Sequence, residues 1–156
     1  MAIRRIRKEG DPVLRTVCKP VTQFDESLWR LLDDMQETLK DAGGVGLAAP
    51  QVGIPKRLFI MDLGLPQMIE AINPQILKVS GKQHVVEGCL SCPDTWGYVD
   101  RPKRCRMRAQ NRKGEWYEMA FVDLGAQCAC HENDHLDGHL FVDIVTEFVE
   151  PDEEEE

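Results

Sequence analysis

Apolar residues recur at helical spacing from Leu28 through Leu31, Leu32 and Met35 to Leu39, behind Asp25 and ahead of Gly43-Gly44. That spacing predicts one helix with a single buried stripe, capped by the Asp25 side chain and closed at glycine. A shorter helical segment opens at Gly10-Asp11-Pro12, runs through Val13, Leu14 and Val17, and stops at Lys19-Pro20. Strand patterns follow. Arg57 to Asp62 reads as a buried strand before the turn Gly64-Leu65-Pro66, and Ala71 to Val79 as further strand broken at Ser80-Gly81. Val85-Val86-Glu87 runs into a loop at Gly88-Cys89-Leu90-Ser91-Cys92-Pro93, and Arg104–Gln110 with Trp116–Val122 predicts a hairpin around Asn111-Arg112-Lys113-Gly114. Asp123 opens a second helix that Gly138 stops, and Phe141 to Val145 reads as a last short strand. The pattern predicts an α+β fold, mainly antiparallel β-sheets packed around the C-terminal helix, with one long N-terminal helix.

At 156 residues the chain fits one domain, expected over 1–148, followed by an acidic tail at 149–156. That tail carries part of the net charge of −8 and repels itself, so it is expected to be disordered. No apolar run approaches the ~18 residues of a membrane span. The basic start Met1 to Lys8 lacks the apolar block of a secretory signal, which points to the cytoplasm and to no membrane partner. A basic patch is expected from Arg101, Lys103, Arg104, Arg106, Arg108, Arg112 and Lys113. In a strand Arg104, Arg106 and Arg108 share one face, with Cys105 and Met107 on the other. It reads first as a solvated outer face of a sheet, and second as weak electrostatic docking to RNA.

The second helix changes the picture, because it carries His131-Glu132-Asn133-Asp134-His135. Residues four apart lie one turn up on nearly the same face, so His131 and His135 can grip one metal ion. Glu132, beside a ligand, can reach a water on that ion as a general base. A catalytic site needs a third protein ligand and an open position. The candidates are Cys89, Cys92, Cys128, Cys130 and His139. Gly138 ends the helix before His139, and Cys128 and Cys130 point away round the helix. Cys89 and Cys92 can both approach from the loop after a strand, and geometry alone does not choose between them. Upstream, the glycine-rich block Gly43 to Gly53 lacks the spacing of a phosphate loop and implies close approach of something to the backbone. Gln51 is its one side chain with a strong hydrogen-bonding end.

Three blocks, Gly44-Val45-Gly46-Leu47-Ala48-Ala49-Pro50-Gln51, Glu87-Gly88-Cys89-Leu90-Ser91 and His131-Glu132-Asn133-Asp134-His135, resemble in order the signature motifs of peptide deformylases. Gly10 to Arg15 and Ile72-Asn73-Pro74 are also similar to that family. The resemblance implies a metal-dependent hydrolase that removes the N-formyl group from the formyl-methionine of newly synthesised proteins, releasing formate. It implies Cys89, His131 and His135 as metal ligands, Glu132 as general base and acid, and Gln51 with the backbone N–H of Leu90 as oxyanion donors. Ferrous iron is the implied native ion, with zinc, nickel or cobalt able to take its place. The partners implied are nascent formyl-methionyl peptides and, through the basic face, a weak ribosome contact, without sequence-specific nucleic-acid binding. An extended peptide is expected along Val45, Gly46 and Gly88, with Trp96 and Gln127 also touching it.

The chain departs from the family pattern at several places. Cys130 replaces a usual Gln, Asn133 an apolar residue, Gln127 an apolar residue lining the methionine pocket, and Trp96 a frequent Arg. None is an implied ligand, base or oxyanion donor. The competing readings are a metallopeptidase, a module stabilised by metal on Cys89, Cys92, Cys128 and Cys130, and a formyl-peptide binder of weak activity.

Overall fold

The computed structural model describes residues 2–150. Of the expected acidic tail, 151–156 lies outside the described residues.

The long helix forms as its periodicity requires. α1 spans Glu26–Ala42, with Asp25 accepting from the Leu28 N–H at 3.2 Å and Gly43 closing it at φ 71°. Its stripe packs against Leu47, Leu58, Ile60 and Ile72. These belong to a five-stranded antiparallel sheet ordered β1-β2-β3-β6-β7. Its strands are β1 (Gly46–Ala48), β2 (Leu58–Met61), β3 (Ile69–Ser80), β6 (Arg104–Gln110) and β7 (Trp116–Val122). β2 is buried at every residue because a helix covers each face of the sheet. Leu58 and Ile60 meet α1, whereas Phe59 and Met61 meet α2, the helix Leu124–Leu136. β3 stays one strand across Asn73-Pro74 by bulging there. Asn73 takes φ 50° and its side chain bonds both backbone groups of Val21.

A second sheet of three strands, ordered β4-β5-β8, lies on the other side of α2. It comprises β4 (Gln83–Cys89), β5 (Cys92–Arg101) and β8 (Glu147–Phe148). Its core is Leu14, Cys92, Val99, Leu140 and Phe141. The C-terminal helix is thus enclosed between two sheets. Among the described residues no helix is long and apolar enough to cross a membrane.

Four expectations need correction. The loop after Gly88 is a tight turn of Leu90-Ser91, and Cys92–Arg101 is a ten-residue strand. Pro93, Asp94 (φ 61°) and Gly97 interrupt its alternation and made it read as loop. Phe141 to Val145 is not a strand. Phe141–Asp143 forms a 3-10 turn closed by the Asp143 carboxylate accepting from the Leu140 N–H, and the last strand is Glu147–Phe148. The first helical segment is only a 3-10 turn, Pro12–Arg15, because Val17 is exposed and offers no second apolar turn. The basic patch loses Arg101, which is 4% exposed, while Arg112 pairs with Glu70 and Asp33. Arg106 pairs with Glu118, and Arg108 stacks on the Trp116 ring.

Candidate metal centre and active site

The fold brings β4 and α2 together so that Cys89 meets the two histidines. Cys89 Sγ lies 3.4 Å from His135 Nε2. Ligand atoms of Cys89, His131 and His135 all fall within 4.8 Å of one another, the one such grouping among the described residues. Cys92 and His139 stay outside it. Cys130 points the other way, into the core cluster that contains Cys105.

Each member is fixed by its neighbours. The His131 Nδ1 hydrogen-bonds the Glu87 carboxylate, which leaves Nε2 turned to the centre. His131 also stacks on Phe141, with ring centroids 6.2 Å apart. Glu87 is held by Arg101, whose Nε donates to Oε2 at 3.0 Å and Nη2 to Oε1 at 2.5 Å. The same guanidinium donates to Asp134 on α2 at 2.7 Å. Gln51 accepts from the Ala48 N–H at 2.9 Å, and its Nε2 donates to Ser91 Oγ at 3.1 Å and faces Cys89 Sγ at 3.5 Å. Its amide is therefore locked with the NH2 end toward the centre.

Electrostatics divide the groups. Burial pushes the Glu132 carboxyl up to about 7, although the His131 ring opposes it. Burial would also raise Glu87, but the hydrogen bonds from His131 and Arg101 outweigh it and hold this carboxyl at about 2. Burial and the neighbouring His131 depress His135 well below the ordinary histidine value, keeping it neutral. The Cys92 thiol, burial and the Glu132 charge raise Cys89.

These residues fit a divalent cation. A neutral imidazole, an imidazole with its far nitrogen engaged by a carboxylate, and a thiol suit a borderline ion such as iron or zinc. Buried Glu132 Oε1 has no hydrogen-bond partner among the described residues, so this carboxyl faces the cavity with an oxygen its own neighbours leave free.

A cavity of about 660 Å³ opens over this centre. Val45, Gly46, Gln51, Gly88, Leu90, Trp96, Gln127, His131 and Glu132 all line it, whereas His135 lies deeper. Two glycines are required by close approach. A Cβ on Gly46 would sit 2.6 Å from Glu132 Oε2 and 2.7 Å from Cys128 Sγ. One on Gly88 would meet the Trp96 ring at 2.4 Å. Gln127 donates to the Val86 carbonyl at 3.3 Å and to Glu87 Oε2 at 3.2 Å, which turns its amide toward the cavity wall.

Glu87 and Arg101 are the functional residues that the sequence pattern leaves without a role, Glu87 as one member of a motif and Arg101 as part of a basic patch. A lone acid following Val85-Val86 in a strand was the available signal for Glu87. Nothing local marked Arg101, whose partners are 14 and 33 residues away.

The fold and this site define a metal-binding hydrolase built on a His-Glu-x-x-His helix. Comparison with known proteins gives the family. The polypeptide deformylase family profile matches residues 3–150. A peptide deformylase of Caldicellulosiruptor bescii is 48% identical over all of this chain and 93% of its own. One of Clostridium botulinum is 53% identical over 94% of this chain and 99% of its own. The crystal structure of peptide deformylase from Thermotoga maritima superposes with a TM-score of 0.91 at 44% identity, covering 94% of this chain and 99% of that one. The chain belongs to the polypeptide deformylase family.

Proposed function

We propose that this enzyme removes the N-formyl group from nascent formyl-methionyl peptides, with Cys89, His131 and His135 holding one catalytic divalent ion. The observation that carries the reading is the convergence of one thiol and two imidazoles within 4.8 Å, beside a buried carboxyl raised to about 7. When bound, the ion supplies Lewis acidity that lets a water ionise near neutral pH. Glu132 takes a proton from the attacking water and passes it to the departing amine, for which a carboxyl near 7 is well matched. Gln51 Nε2 and the Leu90 N–H donate to the oxyanion. A fixed donor of this kind is worth about 10²–10³ in rate.

The peptide lies extended between β1 and β4. β1 is the end strand of the large sheet and β4 of the small one, so each has a free edge able to bond main chain to main chain. Val45, Gly46 and Gly88 form the rails, and Trp96 and Gln127 bound the first side chain. Ferrous iron is the native ion in this reading, with zinc, nickel or cobalt as substitutes. The chain, a single domain over 1–148, works in the cytoplasm where nascent chains emerge. The weak ribosome contact rests on Arg104, Arg106 and Arg108, and salt-dependent co-sedimentation of the triple variant tests it.

Formate release from formyl-Met-Ala-Ser by anaerobically purified, iron-loaded protein is the main test, run beside Glu132→Ala and Cys89→Ala. No release with metal bound overturns the catalytic reading. Equal release by Glu132→Ala overturns the mechanism, and full metal retention by Cys89→Ala overturns the ligand set.

A further inference from the structure

Cys92 is a thiol on the lining of the same cavity, and deformylation gives it no work. It is 3% exposed among Leu14, Val99, Leu140 and Phe141, and it is outside the ligand grouping. What matters is its neighbour. β4 ends at Cys89, β5 begins at Cys92, and the two are direct register partners across the Leu90-Ser91 turn. Opposed residues of an antiparallel pair have Cα atoms about 4.5–5.5 Å apart. A disulfide closes over Cα separations of about 4.4–6.8 Å, so the backbone is already at bonding range. Both cysteines also line the cavity, where a small solute can reach them. Cys105 and Cys130, by contrast, are packed in the core between α2 and the large sheet, away from this cavity.

We infer that Cys89 and Cys92 form a reversible redox modification site, in which peroxide closes a disulfide that withdraws the Cys89 sulfur from metal binding. The thiolate of one cysteine attacks a peroxide oxygen, the O–O bond breaks, and a sulfenic acid and hydroxide result. The thiol of the other then attacks the sulfenic sulfur, forming the S–S bond and releasing water. The two sulfurs together lose two electrons and the peroxide gains them. A dithiol reverses the change by exchange. Without the second thiol, more peroxide carries a sulfenic acid on to sulfinic acid, which a dithiol does not restore. Cys92 therefore acts as a resolving thiol that keeps oxidation of the centre recoverable. The loss of metal, though not the disulfide itself, rests on Cys89 being a ligand as proposed above.

The test treats metal-loaded protein with hydrogen peroxide and then alkylates the remaining thiols. Peptides containing residues 89–92 are read by mass, together with released metal and recovery in dithiothreitol. The unmodified chain should give a peptide lighter by two hydrogens with both cysteines protected from alkylation. It should release its metal and regain both thiols and metal capacity on reduction. Cys92→Ala, and Cys92→Ser as a second variant should the first fold poorly, should instead gain oxygen on Cys89 and stay altered after reduction. Free, alkylatable cysteines at 89 and 92 after peroxide has emptied the centre would overturn the inference, as would equal recovery of the variants. A disulfide formed with the metal retained would overturn the ligand role of Cys89 while leaving the modification standing.

Discussion

Glu87 and Glu132 lie at opposite ends of the same imidazole, both nearly inaccessible, and they are held in opposite protonation regimes. Glu87 meets His131 Nδ1 and shares a bidentate pair with Arg101, so its negative charge is fixed. Glu132 Oε2 is 4.0 Å from His131 Nε2, and its other oxygen has no partner among the described residues. Burial is common to both, so the difference comes from the neighbours: one carboxyl is hydrogen-bonded by His131 and Arg101 and the other by neither. The first is an orienting group that never titrates near neutrality, and the second is free to gain and lose a proton. Two acids with two roles in one pocket follow from which of them the His131 Nδ1 and the Arg101 guanidinium hold.

The sharpest way to break this contrast is at the titrating member. Glu132→Gln should lower kcat for formate release by about 10²–10⁴-fold. It should not lower the melting temperature, because the change removes a buried carboxyl without a full set of partners. A parallel loss of stability would mean that Glu132 is structural. The fixed member should behave in the opposite way. Arg101→Met strands the Glu87 charge and should cost about 3–5 kcal/mol in denaturant unfolding. Combining it with Glu87→Gln should recover much of that loss, and strict additivity would show that the pair is not coupled.

A smaller effect is expected at the backbone that leaves room for Glu132. Gly46→Ala drives a methyl against Glu132 Oε2 and Cys128 Sγ. It should cost about 1–3 kcal/mol of stability, with a larger proportional fall in formate release. Gln127→Leu removes an amide donor from Glu87 and makes the cavity wall apolar. It should raise kcat/KM for formyl-Met over formyl-Ser substrates by about 10-fold at most. The mildest case is an acid held by a half-buried cation near the chain's start. Burial raises Asp34, but the Ala2 N–H and Arg4 outweigh it and hold its carboxyl below the usual value of 3.8. Its contribution is complete above 3.8 and is lost as pH falls through the lowered value in the folded state. Asp34→Asn should therefore cost about 0.2–1 kcal/mol at neutral pH and nothing in strong acid, read from unfolding midpoints.

What the sequence made legible was what local spacing encodes. The α1 stripe, the β6–β7 hairpin and the two histidines one turn apart each sit within a short window, where periodicity is decisive. The glycine-rich block marked Gly46 for the same reason, since close approach to a backbone excludes a Cβ. β5 was hidden because Pro93, Asp94 and Gly97 are turn formers that here serve a distorted strand. The choice of Cys89 over Cys92 was not available from spacing either. The two are opposed across one turn, and only the packing of β4 on α2 decides which sulfur meets the histidines. Arg101 was misread for a general reason: a charged residue is expected outside unless its distant partners are known.

The helix α2 lies between the two sheets, and one rim of the cavity belongs to each. Its histidines and Glu132 thus ride on an element set between both sheets, while each rim is an open strand edge. Such an edge offers only backbone groups, and every peptide answers those alike. Nascent proteins share only their first residue, and a cleft with backbone rims suits an enzyme that must hold that residue while accepting whatever comes after it.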